Sequence, residues 1–228
     1  MRGQLERAHV KPQRFNATVF AHCNSQKTFV KCLEQQGYGD CVNGGIDWEA
    51  VRQHDGRLNE PLEVAEHVIA NWCSHKQLFS KLAADNNTSE FIMIFEDDVF
   101  INYTRMKPEI ERFVQAYQGW DLVVVDPFND RWQPWLGDCD DFEVGRLNGT
   151  AVWNVTQREI FGAPFGCRKS NCSVCGAQAW LVRQSALDRI VSRMDSIPNV
   201  PLNWLPRNLP GSLAWKPTVA NNLIGMDF

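Results

Sequence analysis

A chain of 228 residues, 44% apolar and 22% charged, has the length and balance of one large folded domain. Its net charge of −4 supplies no basic footprint, which argues against nucleic acid as a partner. No apolar run approaches the roughly 20 residues needed to cross a bilayer, so no transmembrane segment is expected in this chain.

Residues 1–14 are polar and basic and read as an N-terminal arm without an apolar signal core, with the folded domain expected over 15–228. Phe15 to His22 alternates and is rich in β-formers, which predicts a first strand. Asn24 or Ser25 then suits the cap of a helix running to about Gln36, with Phe29, Val30, Cys32 and Leu33 on its buried face. Gly37 and Gly39 end it, since glycine tolerates the left-handed backbone at a helix C-terminus. This strand–turn–helix opening resembles the start of a βαβ unit, but its turn lacks the glycine-rich phosphate fingerprint of a dinucleotide site. Residues 43–60 are turn-rich, with Asp47 and Trp48 the notable side chains.

Asn59-Glu60-Pro61 is a helix-start signal, and Val64, Val68, Trp72, Leu78, Phe79 and Leu82 carry the helical period to about Ala84. A second helix is predicted from Pro108 to about Gln118 on Ile110, Phe113, Val114 and Tyr117. Asp121 to Asp126 reads as a doubly buried strand ending in an acid, followed by a long irregular segment, 127–149, rich in Trp and Asp. Thr150–Val155 and Ala177–Val182 are shorter strands around a Gly- and Cys-rich stretch, and Ser185 to Asp188 has the spacing of a capping box for a helix to about Asp195. Four prolines, Pro198, Pro201, Pro206 and Pro210, precede Trp215 in the tail, 197–228.

The chain is organised around Phe91 to Phe100. Five large apolar residues, Phe91 to Phe95, read as a strand buried on both faces, and Glu96, Asp97 and Asp98 follow at once. An unpaired carboxylate is costly out of water, so the strand is expected to end at Phe95 and release the acids at its carboxyl end. Open α/β sheets place their ligand crevice there. Alternation along an extended chain sends Glu96 and Asp98 to one side and Asp97 to the other. Two converging carboxylates suit a hard divalent cation, and through it a phosphate-bearing substrate. The same acids also suit a plain capping turn.

Eight cysteines and seven Asn-x-Ser/Thr sequons (Asn16, Asn86, Asn87, Asn102, Asn148, Asn154, Asn171) point to a glycosylated, disulfide-bearing protein of the secretory lumen, Golgi or ER, whose targeting segment lies outside this chain; the alternative is cytoplasmic. Cys167, Cys172 and Cys175 suit disulfides in such a compartment, with structural zinc the competing reading.

Several segments together resemble glycosyltransferase family twenty-five, which includes lipopolysaccharide sugar transferases and collagen β-galactosyltransferases. The pieces are Cys73-Ser74-His75 at a helix, Phe91 to Val99, Gly176-Ala177-Gln178-Ala179-Trp180-Leu181-Val182, and Pro201-Leu202-Asn203-Trp204. They run in order over about residues 15–221. Three departures stand out. His67-Val68-Ile69-Ala70-Asn71 replaces the family's Gly-x-x-Gly-Cys, Asn203 replaces a late acid, and no His follows His75, although some related metal-dependent transferases use a late His as a ligand.

The resemblance implies an α/β fold: a single Rossmann-like GT-A type domain with a mostly parallel central sheet flanked by helices. It implies a metal-dependent, inverting transfer of a hexose, with galactose favoured by analogy, from a UDP-sugar to a hydroxyl of a glycan or protein acceptor. Mn²⁺ or Mg²⁺ would be held by Asp98 with Glu96, and Asp97 would share that shell. Glu96 would also orient the ribose or donor sugar, with Gln178 in the same substrate-binding group. His22, Asn24 and Asp47 occupy places where the nucleotide base and ribose would lie. His75 matches the family's His, although a helical His beside Trp72 and Phe79 equally suits the core. Asp126 is the first choice for the general base, ahead of Asp138, Asp140 and Asp141, and a strand-end Asp also suits a turn. Two rival functions are a non-catalytic glycan binder using the nine tryptophans, and a divalent-metal phosphoester hydrolase at the same acids.

Overall fold

The computed structural model describes residues 13–19, 21, 23, 26–52, 62–85, 89–96, 99–125, 143–155, 179–199, 202, 205–215 and 224–226. Helices α1 (Phe29–Gln35), α2 (Trp48–Arg52) and α3 (Leu62–Ala84) lead into strands β1 (Phe91–Phe95) and β2 (Val99–Ile101). Helix α4 (Tyr103–Ala116) is followed by β3 (Leu122–Val125), β4 (Glu143–Leu147), β5 (Thr150–Asn154) and β6 (Ala179–Arg183). Helices α5 (Leu187–Ser196) and α6 (Leu205–Asn208), then β7 (Ser212–Trp215) and β8 (Ile224–Met226), complete the order.

Six strands form one sheet in the order β1-β6-β3-β7-β5-β4, and β2 pairs with β8 in a separate two-stranded sheet. The α/β class is as expected, but the mostly parallel sheet is not. Among the described residues β3 and β7 are the only hydrogen-bonded neighbours that run parallel, and every other paired couple is antiparallel. The cause is insertion. Strand β6 runs down between β1 and β3, so the two strands whose runs looked alike in sequence are parallel to each other without being neighbours.

Alternation along each strand builds two cores. Leu122, Val124, Trp180, Val182 and Ala214 face α3 and α5, meeting Trp72, Phe79, Leu187, Ile190 and Met194. Val123, Val125, Leu181, Leu213 and Trp215 face α4 and its Phe113. The sheet is therefore covered on both faces, which accounts for the unbroken apolar runs of β3 and β6. A third cluster lies on the N-terminal segments, where Phe29, Leu33, Cys41, Val42 and Val51 pack on Val68, Ile69 and Cys73 of α3.

Local chemistry accounts for several ends. Gly37, at φ +83°, closes α1 in a Schellman arrangement, with Tyr38 N–H donating to Leu33 O and Gly37 N–H to Glu34 O. The Asn102 side chain accepts from Arg105 N–H and starts α4 five residues before the predicted Pro108, which sits inside the helix. Gly44 lies against Ile197 O so closely that a Cβ there would stand 2.0 Å from it. Asn148 and Gly149, both at positive φ, form a two-residue turn joining β4 to β5.

Other expectations are corrected. The predicted strand over Phe15–His22 has no ladder among its described residues. Its chain is held instead by side chains, with Thr18 N–H donating to Ser74 Oγ, Ala21 N–H to Gln36 Oε1, and Cys23 N–H to Glu66 Oε1. Val30 is exposed rather than buried in α1. Strand β1 is an edge strand, half-buried except at Ile94, because β6 occupies one side of it. Residues 143–147 of the expected irregular segment are a strand. The Ser185 cap is not used: residues 184–186 form a 3₁₀ turn and no side chain caps α5. A disulfide joins Cys23 to Cys32, while Cys139, Cys167, Cys172 and Cys175 lie outside the described residues.

Candidate active site

The register of the sheet sets the geometry. Ile94 and Val124 both stand level with Trp180, so the carboxyl ends of β1 and β3 fall at the same rim with β6 between them. Two strand spacings separate them, roughly 10 Å. Trp215, the last residue of β7, is level with Val125 on the parallel side, which brings three strand ends to one rim.

Of the acids expected there, Glu96 is described: it follows β1 directly and is half-buried. Asp97, Asp98 and Asp126 lie outside the described residues, as do His22, Asn24, Gln178 and the alternatives Asp138, Asp140 and Asp141. Asn203 is likewise outside them. Among the described residues no three His, Cys, Asp or Glu side chains gather as a metal site. Glu96 is thus the one member of the expected metal-holding pair among the described residues, a hard oxygen donor at a strand end.

Helix α3 reaches the same region from one face. Its last turn is tied to the opposite rim, where Gln184 Nε2 donates to Leu82 O, so its earlier turns point toward the carboxyl rim. His75 sits on this stretch. Its ring centroid is 5.4 Å from that of Trp180 and 6.2 Å from that of Phe79, and Phe79 in turn stacks on Trp180. Nδ1 stands 3.1 Å from Asn71 O, which can only accept, so Nδ1 carries the proton and Nε2 the lone pair. Burial pushes the imidazole down to about 4, against the opposing pull of the Asn71 bond, and the ring is neutral at pH 7. His75 is thus a core residue packed against Trp180, as the second of its two readings expects.

Asp47 lies beside the loop after α5. Its N–H donates to Asn199 O and its carbonyl accepts from Val51 N–H, so it forms the entry to α2.

Two features were not foreseen from sequence. Lys76 is buried, donates to Asp40 O and pairs with Asp195 at 2.5 Å, linking α3 to α5 and to the turn at 39–42. The Asn148-Gly149 hairpin was legible as Asn-Gly before a β-rich run, but the surrounding Trp- and Asp-rich sequence masked it.

No helix among the described residues is long and apolar enough to cross a membrane. Comparison with known proteins finds no family model that matches the chain and no curated protein that matches it.

Proposed function

We propose that this chain is a metal-dependent glycosyltransferase of GT-A type that moves a hexose, with galactose favoured, from a UDP-sugar to a hydroxyl of a glycan or protein acceptor with inversion. The observation that carries the reading is the meeting of three motif segments far apart in sequence. Phe91–Phe95 pairs along its length with Ala179–Arg183, and His75 lies against Trp180. Chance similarity in separate segments gives no reason for them to be neighbours in the fold.

Asp98 and Glu96 are the residues proposed to hold Mn²⁺ or Mg²⁺, which when bound neutralises the charge of the leaving nucleoside diphosphate. Glu96 also orients the ribose or donor sugar, Asp97 contributes to the cation's shell, and Gln178 contacts the substrate. His22, Asn24 and Asp47 take the nucleotide base and ribose. Asp126, next in sequence after β3, accepts the proton of the acceptor hydroxyl as its oxygen bonds to the anomeric carbon and the sugar–phosphate bond breaks. His75 holds Trp180 in place and presents an apolar wall. The lumen of the Golgi or ER is the proposed compartment.

The test is a scan of UDP-sugars with Mn²⁺, measuring nucleotide release with and without sugar acceptors. One donor is expected to give acceptor-dependent release, and Asp98→Asn and Glu96→Gln are expected to lower it by about 10²-fold or more. Absence of release with every donor, together with absence of UDP binding, would retire the proposal. Asn203 in place of an acid favours a second reading, a non-catalytic glycan binder. Glycan binding unchanged by EDTA and by Asp98→Ala would favour it.

A further inference from the structure

Cys41 and Cys73 are 32 positions apart in sequence and meet in the N-terminal core. Cys41 belongs to the short 3₁₀ turn Gly39–Val42, and Cys73 to the middle of α3. Both are free and buried, at 3% and 0% exposure. Gln77 Nε2, one helical turn beyond Cys73 on α3, approaches Cys41 Sγ at 3.9 Å, and the two thiols shift each other's acidity, Cys41 downward and Cys73 upward. The turn is held on the helix by the bond from Lys76 to Asp40 O, one residue before Cys41 and one helical turn from Cys73. Two buried thiols of one cluster, on elements clamped together by a neighbouring bond, form a pair placed for oxidation rather than two separate core thiols.

We propose that Cys41 and Cys73 are a disulfide-forming pair, a second cross-link beside Cys23–Cys32 that rivets the turn at 39–42 to α3 once the chain meets a low-molecular-weight disulfide such as oxidised glutathione. The Cys41 thiolate attacks one sulfur of that oxidant, forming a mixed disulfide and releasing one thiolate. Cys73 then loses its proton and attacks Cys41 Sγ, forming the Cys41–Cys73 bond and releasing the second thiolate. Two protein thiols are oxidised, one small disulfide is reduced, and the two protons end on the two released thiols. The Cys73 hydrogen bond holds the Cys41 thiol below its ordinary value, helped by the positive charge of Lys76 and opposed by burial and by Asp40. Cys41 is accordingly the first nucleophile and Cys73 the resolving thiol. Because Cys41 is buried, the first attack requires the short turn to lift from α3, or precedes its docking during folding.

The full chain, expressed through a secretory pathway, is blocked with N-ethylmaleimide, digested without reductant and mapped by mass spectrometry. A linked peptide pair carrying Cys41 and Cys73 is expected beside the Cys23–Cys32 pair. In a Cys41→Ala/Cys73→Ala chain, the fall in Tm on going from oxidising to reducing buffer should shrink by on the order of 10 °C, from the loop closed by the extra bond. Should that variant fail to fold, the wild-type peptide map still decides. Maleimide on both Cys41 and Cys73 in the unreduced, unfolded chain, or either of them linked to any other cysteine, overturns the proposal.

Discussion

His75 shows how one side chain links the core to pH. Its imidazole is held near 4, against an ordinary value of 6.5, because protonation would bury a charge between Phe79 and Trp180. The unfolded chain takes up a proton near pH 6.5 and the folded chain does not, so this contribution is fully present above that pH. It is lost as pH falls from 6.5 toward 4, to a total of up to about 3 kcal/mol. Denaturant unfolding at pH 7 and pH 4 checks this: wild type should lose more stability between the two than His75→Phe, by up to that amount. Equal losses would mean that the ring is not shielded as described. The same residue bears on legibility. A helical His between aromatic neighbours gave two readings in sequence, and its packing partner, Trp180, lies more than a hundred positions away.

At the scale of elements, the β4–β5 hairpin depends on a turn that few residues can make. Asn148 has φ +50° and Gly149 φ +84°, and the Asn148 side chain donates to Oε2 of the buried Glu109 on α4, a carboxylate that also pairs with Arg112. Asn148→Ala therefore meets backbone strain and weakens a buried hydrogen bond, whereas Asn148→Gly removes only the bond. In the unglycosylated chain Asn148→Ala should cost about 1–3 kcal/mol in chemical denaturation and exceed Asn148→Gly by about 1 kcal/mol. A reversed order would show that the left-handed turn is not what holds the hairpin. Elements whose signals are local were well placed by sequence: α3 ends at the predicted Ala84, β1 spans the predicted Phe91–Phe95, and Gly37 closes α1. Those that failed were decided by competition. Asn102 offers a cap upstream of Pro108, and the side chains of Ser74 and Gln36 take the Thr18 and Ala21 backbone donors of the predicted first strand.

For the whole molecule, the decisive strand is one that sequence passed over. Ser212–Trp215 lies in a proline-marked tail, yet it enters the sheet between β3 and β5 with all four residues buried. Without it the β4–β5 hairpin has no neighbour and Phe113 loses its stacked partner Trp215, 4.8 Å away. A chain stopped after Gly211 should lose its cooperative thermal transition and bind a hydrophobic dye, since the face packed on α4 is opened. A truncated chain that melts within a few degrees of the full one, as wide as a loss of about 1 kcal/mol allows, would contradict this placement.

Sequence by itself determined the α/β class, the long third helix, the span of β1 and the emergence of an acid at its carboxyl end, because periodicity, capping and turn chemistry act over neighbouring residues. It also proposed which acids would act together, through a resemblance carried by short segments. Tertiary structure decided the order and direction of the strands: that β6 separates β1 from β3, that β7 completes the centre, and that the sheet is mostly antiparallel. A strand's apolar pattern states how deeply it is buried but not which strand it pairs with, and that choice is made by contacts between residues distant along the chain.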